Sequence, residues 1–496
     1  MLRRLAPLLL LTAAVPAAAQ IPQVKDGQLL VEGKPFLVLG GELGNSSASS
    51  REWLGPYWQK LKAMHLNTVI TPVSWELIEP QEGKFDFSSV DWLIEDARAH
   101  DMRLVLLWFG TWKNSMSTYV PAWVKRDERR FPRTTGPDGK AQEILSAFGT
   151  ETRDADARAF AALMRHLREV DGERHTVVMV QVENEIGFLP TAREHGRVAD
   201  AAFARFRGSE EAFTVDAYAR FTEVVAKAGK REYPLPMYVN GAQGRPGKQP
   251  GEYPSGGPLA HLYDVWRKGA PSLDFLAPDI YFPSFAGIAA GYARPGNPLF
   301  VPEANNAGEA HAAANAFTVI AKHRGIGFSP FGIEGIDEAG AARLGALYGL
   351  LGSMAPQILE AQKANRILGF SPPVTFEGQV DETPQVQTLG GYRFTVSFVD
   401  PWTPKDKQVA AEHGGMILWL GGEDYLIAGS GITVTVEPAD GKGRAGLDRV
   451  EEGRFVDGKW VPGRVLNGDQ THQGRHVRLP LDVMGVQRVR LYRYGG

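Results

Sequence analysis

The chain has 496 residues, a formal net charge of −3, 25 tryptophan and tyrosine residues taken together (11 and 14) and no cysteine. Without thiols, disulfides, thiolate nucleophiles, iron–sulfur clusters and cysteine-based zinc sites are excluded, so stability must come from a large core, which a chain of this length can bury. The mild acidity argues against nucleic acid as a partner, because phosphate binding needs a basic face.

The first residues, Met1–Gln20, join a basic start (Arg3, Arg4) to an apolar run from Leu5 to Val15 and then to Ala17, Ala18 and Ala19. That is the pattern of a secretory signal peptide over residues 1–19, so an exported protein, periplasmic or extracellular, is expected. No later apolar stretch is long enough to suggest membrane insertion.

From Phe36 onward, β-branched apolar runs alternate with helix-period stretches. The predicted strands are Phe36–Gly41, Asn67–Val73, Arg103–Phe109, Thr176–Val182, Pro236–Asn240, Phe275–Tyr281, Leu299–Glu303 and Ile326–Ile333. Between them, Phe160, Leu163, Met164 and Leu167 recur at helical spacing. Tyr218, Phe221, Val224 and Val225 form a second stripe, predicted to end at Gly229 as a helix-capping glycine. Eight strands each followed by a helix is the count that closes a TIM barrel, so residues 20–368 are predicted to form an α/β fold of (β/α)8 type. No phosphate-binding glycine loop follows the first strand, which argues against an open doubly wound sheet.

Near Gly369 the texture changes to short alternating runs: Tyr392–Phe398, Met416–Leu420, Ile432–Val436, Phe455–Trp460, His476–Leu481 and Val486–Tyr494, separated by Gly/Asp turns. Residues 369–496 are therefore predicted to be a C-terminal all-β, sandwich-like domain. The GxGxxG spacing at Gly441–Gly446 has no helical pattern after it and reads as a loop, and His472 and His476 lie in a Gly-containing loop unsuited to a shared metal.

In a TIM barrel the chemistry sits at the C-terminal ends of the strands. Strand four runs into VVMVQVENEIG, placing Asn184 and Glu185 past its apolar stretch; strand seven ends LFVPEANN, placing Glu303 there. Two carboxylates facing each other across one barrel mouth are what glycoside hydrolysis uses: a neutral acid protonates the leaving oxygen, and an ionised partner attacks C1 when the gap is short. Asn184 could hydrogen-bond the sugar 2-OH. By position alone, Glu42 after strand one, Trp112 and Asn114 after strand three, Asn240 on strand five and Tyr281 at the end of strand six are further candidates for substrate binding. Trp112 could stack on a sugar face, and Tyr281 could orient Glu303 by a hydrogen bond. Glu76 and Glu79, beyond strand two, read as loop-fixing groups. No HExxH, GxSxG or Walker A motif is present.

The combination of VQVENEIG, VPEANN and the strand-two stretch PVSWELIEPQEGKFDFS resembles glycoside hydrolase family 35, the β-galactosidases. Trp75 to Phe87 is similar to that family's W-x-x-x-EP-x-x-G-x-FDF segment, and Pro121–Ala122–Trp123 to its PAW element. The resemblance covers roughly Phe36 to Ile333. It implies a retaining, exo-acting β-galactosidase with no metal and no cofactor, in which Asn184 contacts the 2-OH, Glu185 is the acid/base and Glu303 the nucleophile. The substrate would be a β-galactoside, including plant polysaccharide side chains. There are departures from the family pattern. The GPYICAEW stretch is replaced by WFGTWKN (Trp108–Asn114), so its sugar-binding Glu has no counterpart, and Ile78 stands where a His precedes the EP pair. These bear on which sugar is read, and leave open a β-glucosidase or α-L-arabinosidase on the same barrel, or a non-catalytic carbohydrate-binding barrel.

Overall fold

The computed structural model describes residues 20–305 and 309–495, so the expected signal peptide lies outside the described residues. Strand one is Val38–Glu42, strand two Thr68–Ser74, strand three Arg103–Phe109, strand four Val177–Val182, strand five Met237–Ala242, strand six Phe275–Ile280 and strand eight Gly327–Phe328. Strand seven is split into Phe300–Val301 and Glu303–Ala304 around Pro302, whose ring nitrogen has no hydrogen to give a ladder. The first half pairs with strand eight and the second with strand six, where Asp279 lies beside Glu303. Strand eight pairs in turn with strand one, Val38 opposite Gly327, so the parallel sheet closes on itself as a TIM barrel.

Side chains alternate across each strand, as the pleat requires. On strand three, Val105, Leu107 and Phe109 point into the barrel with Val38, Ile70, Tyr238, Phe275 and Phe300, whereas Leu104, Leu106 and Trp108 face the surrounding helices. The lower end of the barrel is plugged by a three-stranded antiparallel meander, Gln23–Lys25, Gln28–Val31 and Lys34–Phe36, whose Leu29 and Val31 join the interior cluster. Strands of three or four residues carry too little periodicity to be read from sequence.

The predicted stripe Phe160, Leu163, Met164 and Leu167 is fully buried on the helix Thr150–Asp171. The helix carrying Tyr218 and Phe221, Glu210–Glu232, corrects one expectation: it runs past Gly229. A Cβ at Gly229 would stand 2.3 Å from Phe160 Cε1, so this glycine lets two helices pack closely and does not end one. Among the described residues no helix is long and apolar enough to cross a membrane.

After the last barrel helix, Ala355–Lys363, the chain enters β-structure at Ile367–Phe370, a strand that straddles the division drawn at 368/369. Two antiparallel sheets of six and four strands follow. Alternation again decides their packing. Met416, Leu418, Leu426 and Ala428 of the six-stranded sheet join the barrel's outer core, and Ile417, Tyr425 and Ile427 join Phe394, Val396 and Val434 of the four-stranded sheet. The sandwich is thus fused to the barrel by one apolar face. Its linker also returns to the barrel, with Phe376 5.4 Å from Phe282. Phe455–Trp460, expected as one run, is a hairpin tip: Val456 pairs with Lys459 around Asp457 and Gly458, both at positive φ. Gly441–Gly446 is a turn running into the strand Arg444–Val456.

Candidate active site

The end of strand four makes an unusual turn, with Glu183 (φ 61°) and Glu185 (φ 43°) both in left-handed backbone. Non-glycine residues hold such angles only when their surroundings over-determine them. Here the strand-three loop supplies the clamp. Trp112 N–H donates to Glu183 Oε2 at 2.7 Å, Asn184 N–H to Trp112 O at 3.2 Å, and Asn184 Nδ2 to Lys113 O at 2.7 Å. From the other side, Asn240 Oδ1 accepts the Glu185 N–H at 3.0 Å. The turn therefore aims Glu185 at the barrel axis with its backbone fixed on both flanks.

Behind it, Glu183 meets Asp156 of the helix Thr150–Asp171, and both are fully buried. Asp156 accepts from Trp108 Nε1 at 2.8 Å and from Thr111 N at 2.9 Å. Burial, and then the Asp156 charge, push the Glu183 carboxyl well above the usual range. The protonated form of Glu183 is thus favoured by its surroundings. Gly110 has to be glycine here, because a Cβ would come within 2.8 Å of an oxygen of each.

Across the mouth stands Glu303, 5% exposed, at the second half of strand seven. Carboxylate oxygens of Glu185, Asp279 and Glu303 lie within 4.8 Å of one another. The Tyr281 hydroxyl donates to Glu303 Oε1. Burial and then the Glu185 charge raise the Glu303 carboxyl to about 7, against the lowering pull of Lys113, the Tyr281 hydroxyl and Glu42. Glu42, buried at the end of strand one, is held well above its ordinary range by burial first and by Glu303 second, and its carboxyl meets that of Glu303. Asp279 on strand six is likewise raised by burial and then by Glu303, and accepts from Asn240 Nδ2 at 2.7 Å.

The positive charge in this cup is Lys113. Its side chain is 8% exposed, its Nζ lies 3.6 Å from Glu185 Oε2, and it sits 5.3 Å from the centre of the Phe109 ring. Burial alone would depress an ammonium, yet Glu185, Glu303, Glu42 and Asp279 keep it raised. The three clustered carboxylates could in principle ligate a cation, but Lys113 already supplies one.

The structure brings Glu185, Glu303, Glu42, Asn184, Asn240 and Tyr281 into one site. Trp112 is a correction. Its ring is fully buried against Tyr218 (5.0 Å) and Phe221 (4.5 Å), and its Nε1 donates to Leu145 O, so no sugar can stack on it. Asn114 spends its carbonyl oxygen on Met116 N, Ser117 N and the Ser117 hydroxyl, which fixes a loop. Asn240 uses both ends inward, on Glu185 N, Asn184 Oδ1 and Asp279, and so is a positioning residue. Asn184 is fully buried, its carbonyl oxygen accepting from Gln181 and Asn240. Glu79 accepts from Trp75 Nε1 and Gly83 N, fixing its loop, and Glu76 pairs with Lys125. His472 and His476 stack ring on ring at 5.0 Å, far along the chain in the C-terminal sheets. Sequence reasoning missed Lys113, Asp279, Glu183 and Asp156. The available signal for Asp279 was a lone acid inside an otherwise apolar strand, LAPDI, and for Lys113 a cation in the WFGTWKN segment that departs from the family pattern.

Comparison with known proteins fits this geometry. Residues 28–235 match the model of glycosyl hydrolases family 35. This part of the chain is similar to that family. Residues 344–478 match a domain of unknown function, DUF5597. A β-galactosidase of Xanthomonas manihotis is 32% identical over 210 residues, which are 40% of this chain and 32% of that protein. Human beta-galactosidase-1-like protein 3 is 34% identical over 161 residues, 32% of this chain and 23% of its own length. The chain thus matches at most about a third of these relatives. Among solved structures, a β-galactosidase from Bacillus circulans sp. alkalophilus superimposes with a TM-score of 0.50 at 13% identity, over 65% of this chain and 57% of that one, a likeness of fold alone.

Proposed function

We propose that the protein is a retaining, exo-acting β-galactosidase. The observation that carries the mechanism is the short gap between Glu185 and Glu303 at the ends of strands four and seven, with oxygens within 4.8 Å. Retaining enzymes separate their carboxyl groups by about 5–5.5 Å, whereas inverting ones leave roughly 6.5–9.5 Å for a water. Glu303, oriented by Tyr281, attacks C1 as its carboxylate while Glu185 gives its proton to the departing glycosidic oxygen. Water then attacks C1 of the glycosyl–enzyme, Glu185 takes its proton, and Glu303 leaves as the carboxylate. The remaining N–H of Asn184 faces the 2-OH in this reading. The choice of galactose rests on the family 35 match and on the galactosidase names of the relatives. Export through the Met1–Gln20 leader and action on terminal galactose of oligosaccharides or plant polysaccharide side chains complete the proposal. A carbohydrate-binding barrel without catalysis would have no use for a strained turn that delivers Glu185 to Glu303.

The test is release of p-nitrophenol from p-nitrophenyl β-galactoside, with the gluco and α-L-arabino analogues in parallel. Glu303→Ala should lose nearly all turnover and, with azide, yield the inverted α-galactosyl azide. Glu185→Ala should harm substrates with poor leaving groups far more than activated aryl ones, since proton donation is what it removes. Equal slowing of both substrate classes would refute the acid assignment.

A further inference from the structure

The Lys113 ammonium carries three N–H donors. Its side chain is 92% buried, yet its nearest acidic oxygen, Glu185 Oε2, stands at 3.6 Å, beyond hydrogen-bond reach. The groups facing it come from every side of the cup: Glu42 from strand one, Glu185 from strand four, Asp279 from strand six and Glu303 from strand seven, with the Phe109 ring beneath. Its backbone is pinned too, because Lys113 O accepts from Asn184 Nδ2, so the ammonium stays in register with the residue that precedes Glu185. Lys113 belongs to the WFGTWKN segment (Trp108–Asn114), where the chain departs from the family pattern described above.

We infer that Lys113 is the fixed countercharge of the carboxylate pair, serving Glu303 in the resting enzyme and Glu185 in the glycosyl–enzyme. The inference rests on the reading of Glu185 and Glu303 as acid/base and nucleophile. In a double displacement one negative charge changes place. Before the first step it sits on Glu303. Glu303 oxygen then bonds to C1, the C1–O bond to the leaving group breaks, and the proton of Glu185 goes to that oxygen, so the charge now sits on Glu185. When water attacks C1, Glu185 regains a proton and Glu303 regains the charge. A buried cation 3.6 Å from Glu185 and within electrostatic reach of Glu303, with no hydrogen bond to Glu185, opposes the charge in both states without moving. Asp279 and Glu42 cannot do this, since a carboxyl group offers no positive charge in either protonation state.

The experiment compares pH profiles of kcat/KM for wild type, Lys113→Met, Lys113→Gln and Lys113→Arg on p-nitrophenyl β-galactoside. Lys113 lowers the Glu303 carboxyl. Removing the charge should therefore move the acid limb to higher pH by about one unit or more, the size expected for a charge a few ångströms away at an effective dielectric of ~20. Lys113→Arg should return the limb towards wild type. Reactivation of a 2-fluoro-galactosyl enzyme, which reads the second step alone, should slow at least tenfold in the two neutral variants. Infrared titration of the protonated carboxyl band, with Glu303→Gln as the subtraction, reads the same shift without any turnover. An enzyme that turns over no aryl glycoside would defeat the proposed function, while this titration would still decide the role of Lys113. An acid limb and a carboxyl band unmoved in Lys113→Met and Lys113→Gln, even with activity lowered at every pH, would overturn the inference.

Discussion

Tyr281→Phe removes one oxygen and isolates one interaction, the hydroxyl that donates to Glu303 Oε1. A hydrogen bond to a charged group contributes about 1.5–3 kcal/mol, and each ~1.4 kcal/mol of preference for the ionised form is one pH unit. That hydroxyl lowers the Glu303 carboxyl, which stands at about 7. Without it, ionisation should move up by about 1–2 units. At pH 7 the ionised fraction would then drop from about one half to roughly 1–10%, so kcat/KM should fall roughly 5–50-fold, with the deficit shrinking as pH rises. Tyr281 is 42% exposed and its ring remains, so folding should be little changed. The assay is the pH profile of kcat/KM on an aryl β-galactoside, with thermal unfolding as control. A loss equal at all pH values, or an acid limb that stays in place, would refute the argument that Tyr281 acts through the ionisation of Glu303.

Substitutions at three other positions follow from the same electrostatics and packing. The folded state raises the Glu303 carboxyl from its ordinary value of 4.5 to about 7, so the native protein binds more protons than the unfolded chain in that window and loses stability as pH rises through it. Glu303→Gln, neutral throughout, should therefore be more stable than wild type above pH 7, by up to ~3 kcal/mol, and the gain should vanish below about pH 4.5 in urea titrations at each pH. Glu183→Gln should keep most activity, because an amide can replace a neutral carboxyl between Asp156 and Trp112 N–H. Glu183→Ala strands that buried N–H and should lower stability by about 1–3 kcal/mol and kcat more than KM. Trp112→Ala should lower stability by about 3–5 kcal/mol in the same titrations, as expected for a large core side chain; a rise in KM with stability unchanged would return Trp112 to the sugar site.

The barrel strands were legible because each is buried on both faces and so reads as a continuous apolar run, and strand three was delimited at Arg103–Phe109 both in sequence and in structure. Strand seven was legible as one run, but its split was not, because the pairing of its halves with two different neighbours is a property of barrel closure. Glu185 and Glu303 could be paired from sequence because position at a strand end restricts what a carboxylate can reach. Trp112 shows the limit of that logic. It follows strand three as Lys113 does, but the clamp on Glu183 turns its ring outward onto Tyr218 and Phe221 and turns Lys113 inward. Which of two adjacent loop residues faces the cavity depends on a hydrogen bond to a residue 71 positions away, and no local pattern records that.

The arrangement of charge explains why so acidic a site can exist inside an apolar barrel. Four carboxyl groups buried together could not all ionise, since each like charge raises the others and desolvation penalises every one. Burial and the Glu303 charge push both Glu42 and Asp279 well above the ordinary carboxylate range, which weakens their repulsion of the pair. Against these acids stands the Lys113 ammonium, which lowers the Glu303 carboxyl. Adding a second cation would hold both carboxylates ionised and remove the acid; removing Lys113 would leave Glu303 protonated near neutrality and remove the nucleophile. The proposed reaction needs one acid and one base at the same moment, and the buried Lys113 ammonium beside Glu185 supplies the positive charge that favours the ionised form of Glu303.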